Sequence, residues 1–340
     1  MTPKPSGELV VHEDEIQTLQ LDHGTKESLR VQVVELADDD PIWAERTTLP
    51  TGPTRPPVIL IHGFAQNRFS WHTSHRSMTA WLAKRGWDVW NLELRGHGRS
   101  RRRSGTVATT FKDYPDDLAR FSNSLDSPPF WLSHSLGASV AFMADAESLA
   151  PCRGVVSIGG LYRFGQAGWL IPNLIRVTRR LPQSVNIGDI QVHTGLTGRV
   201  LARLFPLVDM AAYGAPIAGW WPGSIEPELA KERMRRGFDY IPVRVWQEMS
   251  AWGAADDVPW DQGWQKTQTP CFIVLGDRDT MLYPLEGLAA FERSGAEDKT
   301  LLMLDDRNGF THWGHMDIVL GKHAPKHVWS AIHEWMTDRE

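Results

Sequence analysis

Apolar positions along this chain fall into two periodicities, and their order predicts the fold. Val31-Gln32-Val33-Val34-Glu35-Leu36 alternates as a half-buried strand does, and Glu15 to Leu21 can pair with it across His23-Gly24. A Pro/Gly/Thr-rich linker, Leu49 to Pro57, then leads to Val58-Ile59-Leu60-Ile61, apolar at every position. Such a run predicts a strand covered on both faces. Similar runs follow at Asp88 to Leu92, Phe130 to Leu132, Gly154 to Ile158, Cys271 to Leu275 and Thr300 to Leu304. Between them the spacing predicts helices over Trp71 to Arg85 (ended by Gly86), Tyr114 to Leu125, Leu136 to Leu149, Leu285 to Arg293 and His323 to Trp335. Alternating strands and helices predict an α/β fold, a mostly parallel, doubly wound sheet with helices on both faces.

The alternation breaks after Ile158. From Gly159 to Pro270 no clear buried strand is visible, and about 110 residues is far more than one crossover needs. The expected organisation is therefore a core domain of residues 1–160 and 261–340, interrupted by an inserted, mainly helical lid of residues 161–260. The chain has 16 tryptophans, and the insertion holds Trp169, Trp220, Trp221, Trp246, Trp252 and Trp260. Its apolar side chains either line a pocket for an apolar ligand or form the insertion's own interior; the pattern fits both.

Composition narrows the class. A net charge of −5 with no long basic stripe argues against a nucleic-acid partner, and Arg101-Arg102-Arg103 reads as a solvated loop. No stretch approaches the roughly 18 uncharged apolar residues of a membrane span. The opening residues, Met1 to Glu8, lack the apolar run of a signal peptide. Cys152 and Cys271 adjoin predicted strands and read as buried free thiols, so a cytoplasmic location is expected. With no His-Glu-x-x-His or Cys-x-x-Cys spacing, neither metal nor cofactor is expected.

The chemistry concentrates at Phe130-Trp131-Leu132-Ser133-His134-Ser135-Leu136-Gly137-Ala138-Ser139. A short apolar run, a sharp turn and a helical segment follow one another, with Ser135 at the apex. A residue held there takes strained backbone angles, so its neighbours two positions away must be small. Ser133, where glycine is usual, and Gly137 meet that need. An activated serine requires a base, and the base an orienting acid. Two strand ends carry them: Gly276-Asp277-Arg278-Asp279 after one strand, and Gly314-His315-Met316-Asp317 after the next.

Taken together, these motifs resemble the α/β-hydrolase superfamily, whose triad runs Ser, acid, His in chain order. The resemblance covers about residues 8–160 and 265–340. His62-Gly63-Phe64 matches the oxyanion-hole loop and Arg95-Gly96-His97-Gly98-Arg99-Ser100 the turn after the next strand; the elbow and the Asp and His turns complete the set. It implies Ser135 as nucleophile, Asp279 as acid and His315 as base, with Asp277 and His312 as rivals for the last two roles. It also implies backbone N–H donors from Phe64 and Leu136 for the oxyanion. His62 and His134 are expected to have structural or shaping roles, and His97 reads as a turn residue rather than a catalyst. His134, Trp169, Trp220 and Trp221 are the candidate substrate contacts.

A serine at the elbow separates this chain from relatives that carry Asp there (haloalkane dehalogenases, epoxide hydrolases) or Cys there (dienelactone hydrolases, polyhydroxyalkanoate synthases). What remains is serine acyl chemistry. The surroundings of His315 look most like the lipase and polyhydroxyalkanoate-synthase-like branches. The expected activity is therefore hydrolysis of a small-molecule carboxylic ester with an apolar acyl part, through an acyl-enzyme. Acyl transfer and thioester, lactone, amide or carbon–carbon cleavage are alternatives on the same triad. A non-catalytic protein that binds an apolar ligand is the alternative outside enzymes.

Overall fold

The computed structural model describes residues 7–165, 170–178, 191–211 and 219–340. Among these, nine strands form one sheet: β1 (Glu8–Asp22), β2 (Thr25–Ala37), β3 (Ile42–Thr48), β4 (Pro57–Ile61), β5 (Asp88–Glu93), β6 (Phe130–His134), β7 (Gly154–Ile158), β10 (Cys271–Gly276) and β11 (Lys299–Leu304). Their spatial order is β1-β2-β3-β5-β4-β6-β7-β10-β11. From β5 onward every pairing is parallel, whereas β1, β2 and β3 form an antiparallel extension on one side.

The continuous apolar runs have a direct explanation. Successive residues of a strand point to opposite faces, and here both faces are covered. Ile59, Ile61, Trp131, Val155 and Ile273 pack on one side against the helices Asp113–Asn123, Leu136–Ala146 and Pro284–Arg293. Val58, Leu60, Phe130, Leu132, Val156 and Val274 pack on the other against Met78–Lys84 and Ser330–Thr337.

Three sequence expectations need correction. The span Trp71 to Arg85 is helical only over Met78–Lys84, preceded by a 3₁₀ turn at Arg68–Ser70. Side chains hold the intervening chain out of helix: Thr73 Oγ1 accepts from Arg76 N and donates to Arg76 O, and Ser77 Oγ caps Ala80 N at 3.0 Å. The closing helix begins at Pro325 rather than His323, as a π-type turn to Trp329 that runs into Ser330–Thr337. Strand β3 was not expected, because Ile-Trp-Ala-Glu-Arg-Thr-Thr neither alternates nor runs apolar.

Between β7 and β10 the described residues are mainly helical: Leu170–Thr178, Gly195–Arg203, Phe205–Ala211, Pro227–Arg236, Val243–Ala255 and Asp261–Trp264. A two-stranded ribbon, β8 (Gln191–His193) with β9 (Tyr240–Pro242), is the remaining regular structure. This segment meets the sheet through polar fasteners. Arg76, buried, bonds Asp22 (2.7 Å), both oxygens of Glu226 (2.7 and 2.9 Å) and the carbonyl of Leu320 (2.9 Å). It thus ties the β1–β2 hairpin, the entry to helix Pro227–Arg236 and the chain after His315. Removing one member of a buried ionic cluster strands the others. Arg76→Met should therefore cost about 3 kcal/mol in denaturant unfolding, and unchanged stability would refute the role given to the cluster.

Candidate active site

Ser135 sits between β6 and helix Leu136–Ala146 with φ 58° and ψ −125°, a conformation that a non-glycine residue holds only when its surroundings enforce it. Its N–H donates to Ile158 O (3.2 Å), and its carbonyl accepts from Ala138 N (3.0 Å) and Leu161 N (3.1 Å). The chain on either side of the bend is therefore fastened to β7 and to the turn beyond it. Gly137 must be glycine: a Cβ there would lie 2.4 Å from Ile61 O and 2.8 Å from His62 O. Ser133, the departure from the usual glycine, fits because it is fully buried and its Oγ donates to Val156 O at 2.8 Å.

His315 Nδ1 lies 2.7 Å from Asp279 Oδ2, with both side chains almost fully buried. The other carboxylate oxygen of Asp279 accepts from Met281 N (3.0 Å) and Leu282 N (2.8 Å). A carboxylate so placed accepts Nδ1–H and leaves Nε2 of His315 as the basic nitrogen. Gly159 lies beside this pair and is left-handed at φ 50°, a conformation that favours glycine; a Cβ there would be in ordinary contact, 3.4 Å from His315 Nδ1 and 3.5 Å from Asp279 Oδ2. The rivals form a pair of their own. His312 Nδ1 meets Asp277 Oδ2 at 2.6 Å, and Asp277 Oδ1 accepts from Trp313 N.

Three further histidines are locked as neutral rings. His62 bonds Gly63 O through Nδ1 (2.9 Å) and accepts Leu94 N through Nε2 (3.3 Å), and burial pulls its pKa down to about 3. That grip sets the start of the Gly63-Phe64 loop. Gly63 approaches Ser135 so closely that a Cβ would lie 2.9 Å from Ser135 Cβ. The Phe64 N–H therefore lies on a loop packed against Ser135. Leu136 N–H is in the first helical turn, where amides lack intrahelical partners. His97, its pKa lowered by burial, packs tilted against His62 with ring centres 4.9 Å apart and bonds Arg95 O. His134, held well below its ordinary pKa by burial, has its ring 4.5 Å from that of His315 and bonds His315 O through Nε2 at 2.9 Å. It connects the elbow strand to the His315 loop.

Of the candidate substrate contacts, Trp220 lines a cavity that His134 also lines, and its indole donates to Asp209. Trp221 packs edge-on against His312 at 4.6 Å. Trp169 lies outside the described residues. Arg101 and Arg103 are not simply solvated: their guanidinium groups cover the rings of Tyr240 and Trp43. Cys152 and Cys271 are free.

Two organising carboxylates had no role read from the sequence: Asp239 stands in no motif, and Asp317 figured only as the last residue of the Gly314-His315-Met316-Asp317 turn. Asp239 accepts from Gly98 N (2.9 Å) and Asn67 Nδ2 (3.0 Å), joining the base of β9 to the turn after β5 and to the loop beyond Phe64. Asp317, fully buried, accepts from Gly314 N (2.7 Å) and Trp221 N (3.0 Å), so it holds Trp221 to the His315 loop. Burial pushes the Asp317 carboxyl up to about 7 from an ordinary 3.8, although its N–H partners pull the other way. Between about pH 4 and 7 the native state then keeps a proton that the unfolded chain has lost. The stability this supplies is complete below pH 4 and disappears as pH rises through 7. Wild-type stability should thus fall between pH 4.5 and 8 by on the order of 3 kcal/mol more than that of Asp317→Asn, as read by urea unfolding. Parallel profiles for the two proteins would sink this account.

Residues 56–320 match the model of a family described as alpha/beta hydrolase fold. Among solved structures the chain is similar to a monoacylglycerol lipase from Paleococcus ferrophilus, with a TM-score of 0.64 and 15% identity over 88% of this chain and 99% of that one. It is also similar to a bromoperoxidase from Bacillus anthracis, with a TM-score of 0.58 and 16% identity over 95% of this chain and 100% of that one. At such identities the likeness is one of fold. A curated relative, a probable alcohol acetyltransferase of Saccharomyces cerevisiae, is 29% identical over 108 residues, 32% of this chain and 31% of that protein. The chain thus spans about a third of the length of that relative. The elbow, the parallel sheet and the family match over most of its length make this chain a member of the alpha/beta hydrolase family.

Proposed function

We propose that this chain is a serine hydrolase of carboxylic esters, with Ser135, Asp279 and His315 as its triad. The observation that carries the reading is the buried 2.7 Å contact between Asp279 and His315, joined through His134 to the strained turn at Ser135. His315 takes the Ser135 proton as Oγ attacks the ester carbonyl, and Asp279 orients and stabilises the resulting imidazolium. The negative oxygen of the tetrahedral intermediate is met by the N–H groups of Leu136 and Phe64. The alcohol leaves with the proton held by His315, and water activated by the same ring releases the acyl group from Ser135.

The helical segment between β7 and β10 serves in this reading as a lid. Trp220 beside His134, and Trp246 against Phe64 at 6.0 Å between ring centres, support an apolar substrate. The two free cysteines support a reducing compartment, in keeping with a cytoplasmic protein. The yeast relative named as an acetyltransferase favours one second reading, acyl transfer to an alcohol in place of water. The product mixture from an activated ester with added alcohols separates the two.

Ser135→Ala should fold as the wild type does, lose labelling by a fluorophosphonate and lose turnover of a p-nitrophenyl ester by on the order of a million-fold. Asp279→Asn should lower kcat by about ten-thousand-fold. Near-wild-type turnover by the Ser135 variant would reject the nucleophile, and unimpaired turnover by the Asp279 variant would pass the acid role to Asp277.

A further inference from the structure

The loop that carries the Phe64 N–H is held from two sides, and one of them belongs to the segment between β7 and β10. On the near side, the Gly63 carbonyl accepts from His62 Nδ1 at 2.9 Å. That carbonyl and the Phe64 N–H share one trans peptide and point opposite ways, so the bond turns the N–H away from His62.

Beyond this peptide the chain passes through Ala65, a non-glycine residue left-handed at φ 55°. Such a conformation persists where the surroundings over-determine it. Among the described residues, the bonds that Ala65, Gln66 and Asn67 make across the fold run to residues 236–239. Ala65 O accepts from Asp239 N at 2.7 Å, and Gln66 pairs with Phe238 as an isolated antiparallel bridge. Asn67 Nδ2 donates to Arg236 O (2.9 Å) and to Asp239 Oδ2 (3.0 Å), while its Oδ1 accepts from Phe69 N (3.1 Å).

Asp239 is the centre of this clamp. It is 5% exposed, and each of its oxygens is engaged. Oδ2 accepts from Gly98 N (2.9 Å) as well as from Asn67, and Oδ1 accepts from Tyr240 N (3.0 Å). Its carbonyl accepts from Thr194 N (3.1 Å) and Thr194 Oγ1 (2.6 Å). The turn that contains Gly98 also grips the near side of the loop, because Leu94 N donates to His62 Nε2 at 3.3 Å. Asp239 therefore closes a ring of contacts around the Phe64 peptide. An oxyanion donor is effective within about 2.7–3.1 Å of the developing charge, so a loop free to shift by about an ångström forfeits it.

We propose that Asp239, with Asn67, is a positioning residue for the oxyanion donor. Through this carboxylate the segment between β7 and β10 holds the Phe64 N–H where the tetrahedral intermediate forms. The proposal rests on the ester-hydrolase reading, and it makes that segment part of the catalytic geometry as well as a cover.

Asp239→Ala removes the acceptor and leaves Ser135, Asp279 and His315 in place. With active sites counted by a fluorophosphonate, its kcat for p-nitrophenyl butyrate should fall about a hundredfold while KM stays within about threefold. Affinity for a trifluoromethyl ketone, whose serine adduct carries the oxyanion, should fall by the same factor as kcat/KM. Asp239→Asn keeps an oxygen for Gly98 and Asn67 and should restore kcat to within about tenfold of wild type. Asn67→Ala should also lower kcat and, combined with Asp239→Ala, should add no further loss, since the two side chains act as one unit. That single variant carries the same kinetic comparison where Asp239→Ala does not fold. An unchanged kcat, a loss confined to KM, or a lower kcat without a matching loss of ketone affinity overturns the proposal. A wild type that neither turns over any ester nor takes the label rejects the hydrolase reading, and the proposal with it. A competent wild type beside an unimpaired variant rejects the proposal alone.

Discussion

Backbone crowding at the elbow is the constraint on which the rest of the structure depends. The first turn of helix Leu136–Ala146 passes so close to the end of β4 that only hydrogen fits between Gly137 and the carbonyls of Ile61 and His62. The same approach brings Gly63 against Ser135. A strained φ at Ser135 is affordable because its N–H and C=O are both engaged and the strands beneath it are packed on both faces. The Gly63-Phe64 loop, Ser135 and the turn after β7 are therefore parts of one close-packed contact.

Around that contact the molecule uses histidine in two ways. His62, His97 and His134 act as neutral hydrogen-bonding wedges, buried deeply enough that protonation is disfavoured. His315 differs in having a carboxylate, that of Asp279, on Nδ1. Histidines a few ångströms apart thus have distinct chemistry because their partners differ: carbonyl and amide groups for one set, Asp279 for the other.

Polar fasteners then hold the segment between β7 and β10 to the sheet. Asp239, Asp317 and Arg76 each bridge that segment to a loop of the candidate site. The interface is thereby tied to the geometry of the His315 loop, so groups far apart in sequence share one set of hydrogen bonds. Among the described residues, Arg233 stands apart within it as a buried charge with no carboxylate partner.

The core was legible in the chain because buried parallel strands leave uninterrupted apolar runs, and β4 to β7, β10 and β11 fall close to the positions those runs predict. So were the elbow and the Asp and His turns, since short motifs encode local geometry. Where side chains compete with the backbone, as Thr73 and Ser77 do, the pattern misled, and the helix there is half the expected length. Strand β3 carried no periodic signal. Sequence left Asp277 and Asp279, and likewise His312 and His315, as rivals two and three residues apart. Tertiary structure sorted them into two separate pairs, because only folding determines which carboxylate faces which ring. The same holds for Asp239, Asp317 and Arg233: each is an ordinary charged residue along the chain. Burial, and the presence or absence of a partner across the fold, is what gives each its role.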